Sequence, residues 1–524
     1  MRTKRVVRIG PMVRPLGTRH CLAAAAALAI VFALPFSLKQ AGATGRAEVL
    51  TAGDCSSLST LSLPDTVVTG ATLVTAQGSM PAYCRVRATV WPETDIEVRL
   101  PDTWQARLLH LGGAGLDGVI PNLNGSSSRL QQGYALAASN GGHRDPTRGP
   151  SRFLNNPTII EDYAHGAIAK TVLFAKAIIH AYYGQYPTYS YFEGCSSGGR
   201  SAFNAAGKYA GEYDGIVAAA PTRNFVGAIS TWAHASQQHA PSVTKLTSMY
   251  QAEVAQCDAE DGLVDGIIGN PAKCRFDVAT LRCPDGVDTD TCLSDEEIAA
   301  VTAIRSDLTL SNGKTLYSGF GIGNPGAGFG VFMPVGPPGS PTFASFLSTA
   351  FLSYIVYRDP TYDPATYDIS HDVTTVQNVV EQVYDFSAET LPLARYLRSG
   401  KKMIVWQGAE DTLFSHFDTI RSFEEMAKAA GKYEENVRLY IPPGVNHCFG
   451  GPGADRFDMI AALAGWVENG DAPETLSASK VDVAGNVLFT RPLCEYPKYP
   501  HYIGGAPADA SSFRCVAPGY RSKQ

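Results

Sequence analysis

Ser196 lies in the run Gly194-Cys195-Ser196-Ser197-Gly198-Gly199, which carries the Gly-x-Ser-x-Gly spacing of a nucleophile elbow. That spacing serves acyl transfer, in which a serine hydroxyl held on a sharp turn attacks a carbonyl carbon. With 51 glycines in the chain the spacing alone is weak, and its flanks are what strengthen it. Tyr189-Ser190-Tyr191-Phe192-Glu193 is aromatic and β-prone, and Arg200-Ser201-Ala202-Phe203-Asn204-Ala205-Ala206 forms helix readily. Strand, turn and helix together lift the hydroxyl above a sheet edge, beside the free N–H groups and positive dipole of a helix start. Ser197 falls off the nucleophile spacing and is expected to serve through its backbone N–H.

A serine hydroxyl needs a base, and the base needs an orienting carboxylate. In α/β-hydrolases both follow the serine, acid first and histidine second. Lys402-Met403-Ile404-Val405-Trp406-Gln407 reads as a buried strand and is followed by Gly408-Ala409-Glu410-Asp411. Val437-Arg438-Leu439-Tyr440-Ile441 reads as another and is followed by Pro442-Pro443-Gly444-Val445-Asn446-His447-Cys448. Acid and histidine each come just past the C-terminal end of a strand, where open α/β sheets bind ligands. Asp411 is the expected acid, with Glu410 as the alternative, and His447 is the expected base. His416 also follows Asp411 but has no strand of its own before it.

The cysteines extend the pattern. Cys195 directly precedes the expected nucleophile and Cys448 directly follows the expected base. If Ser196 and His447 come within hydrogen-bond reach, these thiols are forced close, and a disulfide would staple base to nucleophile. Closing a loop of roughly 250 residues is worth about 5 kcal/mol in the chain-entropy account, a model-dependent mechanism.

Two other stretches carry site chemistry. Leu109-His110-Leu111-Gly112-Gly113-Ala114-Gly115 is a strand running into a glycine-rich turn, the place from which a second oxyanion donor comes, the first being the Ser197 N–H. Gly112 and Gly113 are both open as that donor. Cys257-Asp258-Ala259-Glu260-Asp261-Gly262-Leu263-Val264-Asp265-Gly266-Ile267-Ile268 packs three Asp and two Gly into one loop. Hard oxygens on a glycine-bent loop suit Ca²⁺, although the spacing is not that of an EF-hand. A solvated acidic turn is the alternative.

Gly194-Cys195-Ser196-Ser197-Gly198-Gly199-Arg200, Asp411 and Asn446-His447-Cys448-Phe449-Gly450-Gly451-Pro452-Gly453 together resemble the tannase/feruloyl esterase family. Tyr213-Asp214-Gly215-Ile216-Val217-Ala218-Ala219-Ala220-Pro221 and Arg456-Phe457-Asp458-Met459 extend the resemblance, which runs from about Cys55 to Cys515. The paired Cys-Ser and His-Cys motifs make it specific. It implies a serine esterase with an α/β-hydrolase core and a large inserted lid domain. It implies disulfides Cys55–Cys84, Cys195–Cys448, Cys257–Cys274, Cys283–Cys292 and Cys494–Cys515, where the residues alone allow many pairings. It implies Gly113 as the oxyanion donor that joins Ser197. It also implies a structural Ca²⁺ held by the side chains of Asp258, Asp261 and Asp265 and the carbonyls of Leu263 and Ile267, remote in sequence from the elbow.

The family's substrates are esters of aromatic acids: ferulate and related hydroxycinnamates, gallate, or a terephthalate monoester. Phe414 matches a position whose ring packs on substrate in the terephthalate member, and a plain core Phe is the competing reading. Two departures count against that substrate. Gln407 stands where the terephthalate member has His, and no Arg of the lid matches the one that grips the free carboxylate. A neutral phenolic ester, from plant cell wall or tannin, is the favoured small-molecule partner. A terephthalate-monoester hydrolase is the alternative, followed by a serine peptidase and a non-catalytic, calcium-stabilised binding protein.

The rest of the chain fits this setting. Residues 1–43 read as a secretory signal peptide: six Arg/Lys up to Arg19, an apolar run from Cys21 to Leu38, and the small-residue site Ala41-Gly42-Ala43. No later stretch is long and apolar enough to span a bilayer. Its removal takes seven basic residues and no acidic one, leaving 36 basic against 49 acidic residues, net −13. That charge disfavours nucleic acid and anionic membranes as partners. Ten cysteines remain, an even number that suits an oxidising, secreted or periplasmic setting. Strand and helix patterns alternate on both sides of a different middle region, from Asn224 to Ser387, rich in Cys, Asp, Gly and Pro. The expected organisation is therefore a catalytic domain over 44–223 and 388–524 with a lid domain over 224–387 that carries the acidic loop.

Overall fold

A computed structural model describes residues 53–519 except 148, 155, 322, 325–332 and 386–392. The expected leader over 1–43 and the lid boundary at Ser387 lie outside the described residues. Seven strands come first: β1 Thr66–Val74, β2 Tyr83–Val90, β3 Thr94–Pro101, β4 Arg107–Leu111, β5 Tyr134–Ser139, β6 Tyr189–Cys195 and β7 Gly215–Ala219. A small hairpin, β8 Leu308–Thr309 with β9 Thr315–Tyr317, stands apart in the middle region. Strands β10 Lys402–Trp406 and β11 Val437–Tyr440 return to the main sheet.

The nine-stranded sheet has the order β1-β2-β3-β5-β4-β6-β7-β10-β11. Its first strands pair antiparallel, and every pairing from β5 to β11 is parallel. Burial explains the division. Strand β1 alternates half-buried and exposed positions at the sheet edge, while β5 and β7 are buried at every residue. A parallel strand covered on both faces reads as a continuous apolar run, which is the text of Tyr134-Ala135-Leu136-Ala137-Ala138. This is an α/β-hydrolase fold.

Register fixes where the site forms. Cys195 pairs with Ala219, Ala219 with Trp406, and Trp406 with Tyr440. The turns that follow β6, β10 and β11 therefore leave the sheet at one edge, side by side. Residues some 250 positions apart in sequence meet there because parallel strands in register end together.

Among the described residues, the chain between β7 and β10 gives no strand to this sheet. It is mostly helical, with helices Phe225–Ser236, Val243–Cys257, Asp295–Arg305, Phe343–Phe351 and Ile369–Gln377. Its apolar residues form a second cluster, which includes Phe225, Trp232, Leu347 and Phe351. The same cluster takes in Phe153, Ile159 and Tyr163 from before β6, and Leu413 and Phe414 from after β10. The insertion is thus packed onto the sheet edge where the three turns emerge. The C-terminal strands β12 Thr475–Val481, β13 Val487–Cys494, β14 Tyr499–Tyr502 and β15 Phe513–Val516 form two hairpins, with Cys494 bonded to Cys515.

Candidate active site

Ser196 stands between the end of β6 and the helix Ser197–Lys208 with φ 63° and ψ −121°. A non-glycine residue at positive φ is strained, and such strain is held in place by its surroundings. Here Ser196 N–H donates to Ala219 O at 3.0 Å, which ties the turn to β7. The glycines on either side allow a close approach. A Cβ at Gly194 would sit 2.5 Å from the Gly198 backbone, and one at Gly198 would sit 2.7 Å from Gly113 O. The turn after β4 is therefore pressed against the first turn of the helix Ser197–Lys208. This brings Gly113 and Ser197, the expected oxyanion donors, to the same place.

The Asp411 side chain is fully buried, and His447 Nδ1–H donates to its Oδ2 at 2.7 Å. Oδ1 accepts from Leu413 N–H at 2.8 Å and Phe414 N–H at 3.1 Å. Gln407, fully buried, donates from Nε2 to Oδ2, while its Oε1 accepts from the Thr419 hydroxyl at 3.2 Å. The residue noted in the sequence as a departure is thus a direct neighbour of the acid. Glu410, the alternative acid, faces elsewhere and takes a hydrogen bond from Tyr250 at 3.1 Å. Burial pushes its carboxyl up to about 8. His416 is buried at the start of the helix His416–Ala430, its ring held down to about 4 by burial. It is far from the arrangement expected of a base that meets Asp411 through a hydrogen bond.

Cys195 and Cys448 are joined, with Cα atoms 6.0 Å apart across 253 residues. Ser196 and His447 are the chain neighbours of the two bonded cysteines, so the bond holds the turn of Ser196 and the loop of His447 together. The other four bonds are Cys55–Cys84, Cys257–Cys274, Cys283–Cys292 and Cys494–Cys515, each spanning fewer than 30 residues.

A pocket opens beside Ser196 and Ser197. Its walls are Tyr163, Phe225, Trp232, Phe343, Leu347, Phe351 and Phe414, with Gly115, Arg200 and Thr222. Phe414 lies with its ring 5.4 Å from that of His447 and 5.5 Å from that of Trp232. Trp232 is fixed by its indole N–H, which donates to Leu413 O at 2.9 Å. Arg200 is the one charged side chain among the described residues of this wall, and it donates to Ala164 O at 2.6 Å and Tyr163 O at 2.9 Å. Phe414, marked in the sequence, lines this pocket as well as the core beneath it, and the aromatic wall from the insertion was not marked. Phe225, Trp232, Phe343 and Phe351 read as ordinary core residues of amphipathic helices, and nothing in their spacing marks a pocket.

The acidic loop, away from the elbow in sequence, packs in the fold against the loop that carries His447. Asp261, Asp265 and Ile267 line one small cavity with Pro442, Pro443, Gly453 and Ala454, from the loop that carries His447. A Cβ at Gly444 would meet Ile267 Cγ2 at 3.1 Å. Asp258 and Asp261 are buried, and Asp258 Oδ1 has no partner. Burial, then the like charges of Asp265 and Asp258, push the Asp261 carboxyl up to about 7. Asp265 is shared with Arg491, which donates to its Oδ2 at 2.5 Å. Among the described residues no three His, Cys, Asp or Glu side chains gather so as to hold an ion by themselves. An ion here needs backbone carbonyls as well, and the buried, unpartnered oxygen and the crowded carboxyls fit a hard cation.

Known proteins resemble this chain along most of its length. An uncharacterized esterase of Xanthomonas campestris is 31% identical, with 88% of this chain and 91% of that protein covered. A mono(2-hydroxyethyl) terephthalate hydrolase of Piscinibacter sakaiensis is 29% identical, with 84% and 86% covered. The crystal structure of feruloyl esterase B from Aspergillus oryzae superposes with a TM-score of 0.80 at 24% identity, over 88% of this chain and 99% of that one. The family model described as tannase and feruloyl esterase matches residues 80–516, from the second strand of the sheet to the last strand of the chain, and the chain belongs to that family of carboxylic ester hydrolases.

Proposed function

We propose that this protein is a secreted serine esterase that cleaves esters of aromatic, phenolic acids through an acyl-enzyme. The observation that carries the reading is the hydrogen bond from His447 to the buried Asp411, on a loop tied by Cys195–Cys448 to the strained turn of Ser196. With Nδ1 donating to Asp411, Nε2 is the ring nitrogen that takes the Ser196 proton. Ser196 Oγ attacks the ester carbonyl, and the oxyanion that forms is stabilised by the N–H groups of Gly113 and Ser197. One such donor is worth about 3 kcal/mol in the transition state. His447 returns the proton to the departing alcohol. Water, activated by the same imidazole, then releases the acid from Ser196.

The aromatic wall of the pocket supports a flat, apolar acyl group, since ring-on-ring contact adds to area burial. Arg200 supports a neutral one, because its guanidinium is engaged by two carbonyls and lies over the rings of Tyr163 and Phe225. Five disulfides support export to an oxidising compartment. Asp258, Asp261 and Asp265, with the carbonyls of Leu263 and Ile267, would hold a structural Ca²⁺, whose charge would relieve the repulsion among these carboxylates.

A panel of methyl ferulate, methyl gallate, terephthalate monoester, p-nitrophenyl acetate and a p-nitroanilide amide tests the reading, together with fluorophosphonate labelling. Hydrolysis of the phenolic esters, labelling at Ser196 and loss of both in a folded Ser196→Ala variant are expected. Preference for the monoester would move the assignment to a terephthalate-monoester hydrolase, and preference for an amide to a peptidase. An unlabelled, inactive wild type would leave a binding protein.

A further inference from the structure

We propose that Tyr163, clamped by Arg200, is a positioning residue for the oxyanion hole; the inference rests on the serine-esterase reading above. The Tyr163 hydroxyl donates to Gly115 O at 2.8 Å, two residues beyond the donor Gly113. With its one proton committed there, its oxygen faces the Ser197 hydroxyl at 3.5 Å, a contact at the long limit of a hydrogen bond. A single side chain therefore touches both loops that present oxyanion donors, the turn after β4 and the start of the nucleophile helix.

The backbone around Tyr163 is arranged for this. Asp162–Gly166 is a π-helical turn between the α-helical segments Pro157–Glu161 and Ala167–Tyr183. Such turns disturb the regular ladder and recur at functional sites. Here the carbonyls of Tyr163 and Ala164 are taken up by the guanidinium of Arg200, at 2.9 and 2.6 Å. Arg200 lies one helical turn beyond Ser196, and its guanidinium carbon sits 5.1 Å from the centre of the Tyr163 ring. Asn204, one turn further, donates to Ala164 O at 3.5 Å. The nucleophile helix thus grips the π-turn, and the π-turn holds the oxyanion loop through one hydroxyl. Burial pushes that hydroxyl up to about 12, so it keeps its proton throughout neutral pH.

The mechanical consequence is specific. Glycine-rich turns are free to drift, and a donor displaced by about 1 Å can cost on the order of 100-fold in rate. Without the Tyr163 hydroxyl the Gly115 carbonyl is released, and Gly113 N–H loses its fixed aim. Ground-state binding of the acyl ring depends on the pocket wall, which Tyr163→Phe leaves in place.

The test is Tyr163→Phe, with Arg200→Lys as a second variant that keeps the charge and loses the fork. Each is compared with wild type for kcat, KM, thermal unfolding, and inhibition by phenylboronic acid, which forms a tetrahedral adduct on an activated serine. Tyr163→Phe is expected to lower kcat about tenfold, keep KM within about twofold, and weaken the boronic acid in proportion to kcat/KM. Arg200→Lys should move the same quantities in the same direction. Unchanged kcat and boronic-acid affinity in folded Tyr163→Phe would overturn the inference. So would a rise in KM that accounts for the whole loss. Fluorophosphonate labelling of the wild type separates the two readings: with Ser196 labelled, a null result in the variants sinks only the role of Tyr163, and with Ser196 unlabelled the esterase reading falls and takes this one with it.

Discussion

Gln407 and His447 meet on the same oxygen of Asp411: both donate to Oδ2, while Oδ1 is filled by the backbone N–H groups of Leu413 and Phe414. A carboxylate has about four lone-pair sites, so Asp411 is saturated. Thr419 decides which way the Gln407 amide faces, because its hydroxyl donates to Oε1 and leaves Nε2 for the acid.

Gln407→Leu should therefore lower kcat about 10- to 100-fold, since a hydrogen bond to a charged group is worth about 1.5–3 kcal/mol. KM should hardly change, because the amide is buried behind Asp411 and does not line the pocket beside Ser196. Steady-state kinetics on p-nitrophenyl acetate measure the split, and a variant with wild-type kcat would show that the backbone donors suffice to aim Asp411.

Replacing both Cys195 and Cys448 by alanine should lower kcat more than it raises KM, and should lower Tm. The loss of Tm follows from the 253-residue span, since a long loop released to the unfolded chain regains the most entropy. The loss of kcat follows from freeing the His447 loop, whose Cys448 is held at φ +66°. Equal kcat in the bonded and unbonded forms would show that Asp411 alone aims the imidazole.

How much of this could be read from the chain depends on how far each signal is local. Gly194 to Gly198, Asp411 and His447 are each marked by a strand before them and a turn after them, and the register of β6, β10 and β11 places those turns side by side at one edge of the sheet. The pairing of Cys195 with Cys448 was legible because both cysteines touch residues that had to meet. Tyr163 was not legible. It sits at the start of a helix-like stretch, between Asp162 and Ala164, with no motif to mark it, and only the π-turn and the clamp of Arg200 aim it at Gly115. The aromatic wall was illegible for a similar reason: core and pocket use the same residues, and three-dimensional closure alone distinguishes them. The acidic loop was legible as a crowded set of carboxylates, but its packing on the loop of His447 was not, because sequence distance says nothing about which loop packs on which.

That proximity changes what chelation should do. Chelator should lower Tm and added Ca²⁺ restore it, by about 2.7 kcal/mol at 100 times the Kd. Asp261→Asn should blunt the response. Because Ile267 packs on Gly444, three residues before His447, kcat measured below the unfolding transition should fall as well, with KM little changed. Elemental analysis showing no calcium in protein purified without chelator would remove the basis for all three effects.

Glu410 gives a pH signature. Its folded carboxyl titrates near 8 against an ordinary 4.5, raised by burial. Between those values the folded state holds a proton that the unfolded state has released, so stability falls as pH rises through the window. Glu410→Gln removes the titration. The Tm of the variant should approach or pass that of wild type as pH goes from 5 to 8, and activity should survive because His447 pairs with Asp411. A Tm difference that is flat with pH would mean Glu410 is already ionised in the folded protein. Loss of activity comparable to that of Asp411→Asn would return Glu410 to the triad.

Substrate choice should divide between the insertion and the core. Leu347 comes from the helix Phe343–Phe351 and Phe414 from the loop after β10, and both wall the pocket beside Ser196. Leu347 is 4% exposed, so Leu347→Ala opens space without adding polarity, at a folding cost of about 2–5 kcal/mol. The added room favours the longer acyl chain. The ratio of kcat/KM for methyl ferulate over methyl gallate should therefore rise several-fold in Leu347→Ala. Activity on p-nitrophenyl acetate should stay within about twofold, because an acetyl group is too small to reach that wall while the triad and both oxyanion donors are untouched. Phe414→Leu is the control on the other side. Its ring also packs on His447, so it should lower activity on all three esters together. If Leu347→Ala, still folded by thermal unfolding, keeps the wild-type ratio while Phe414→Leu shifts it, specificity belongs to the core loop and the insertion serves to cover it.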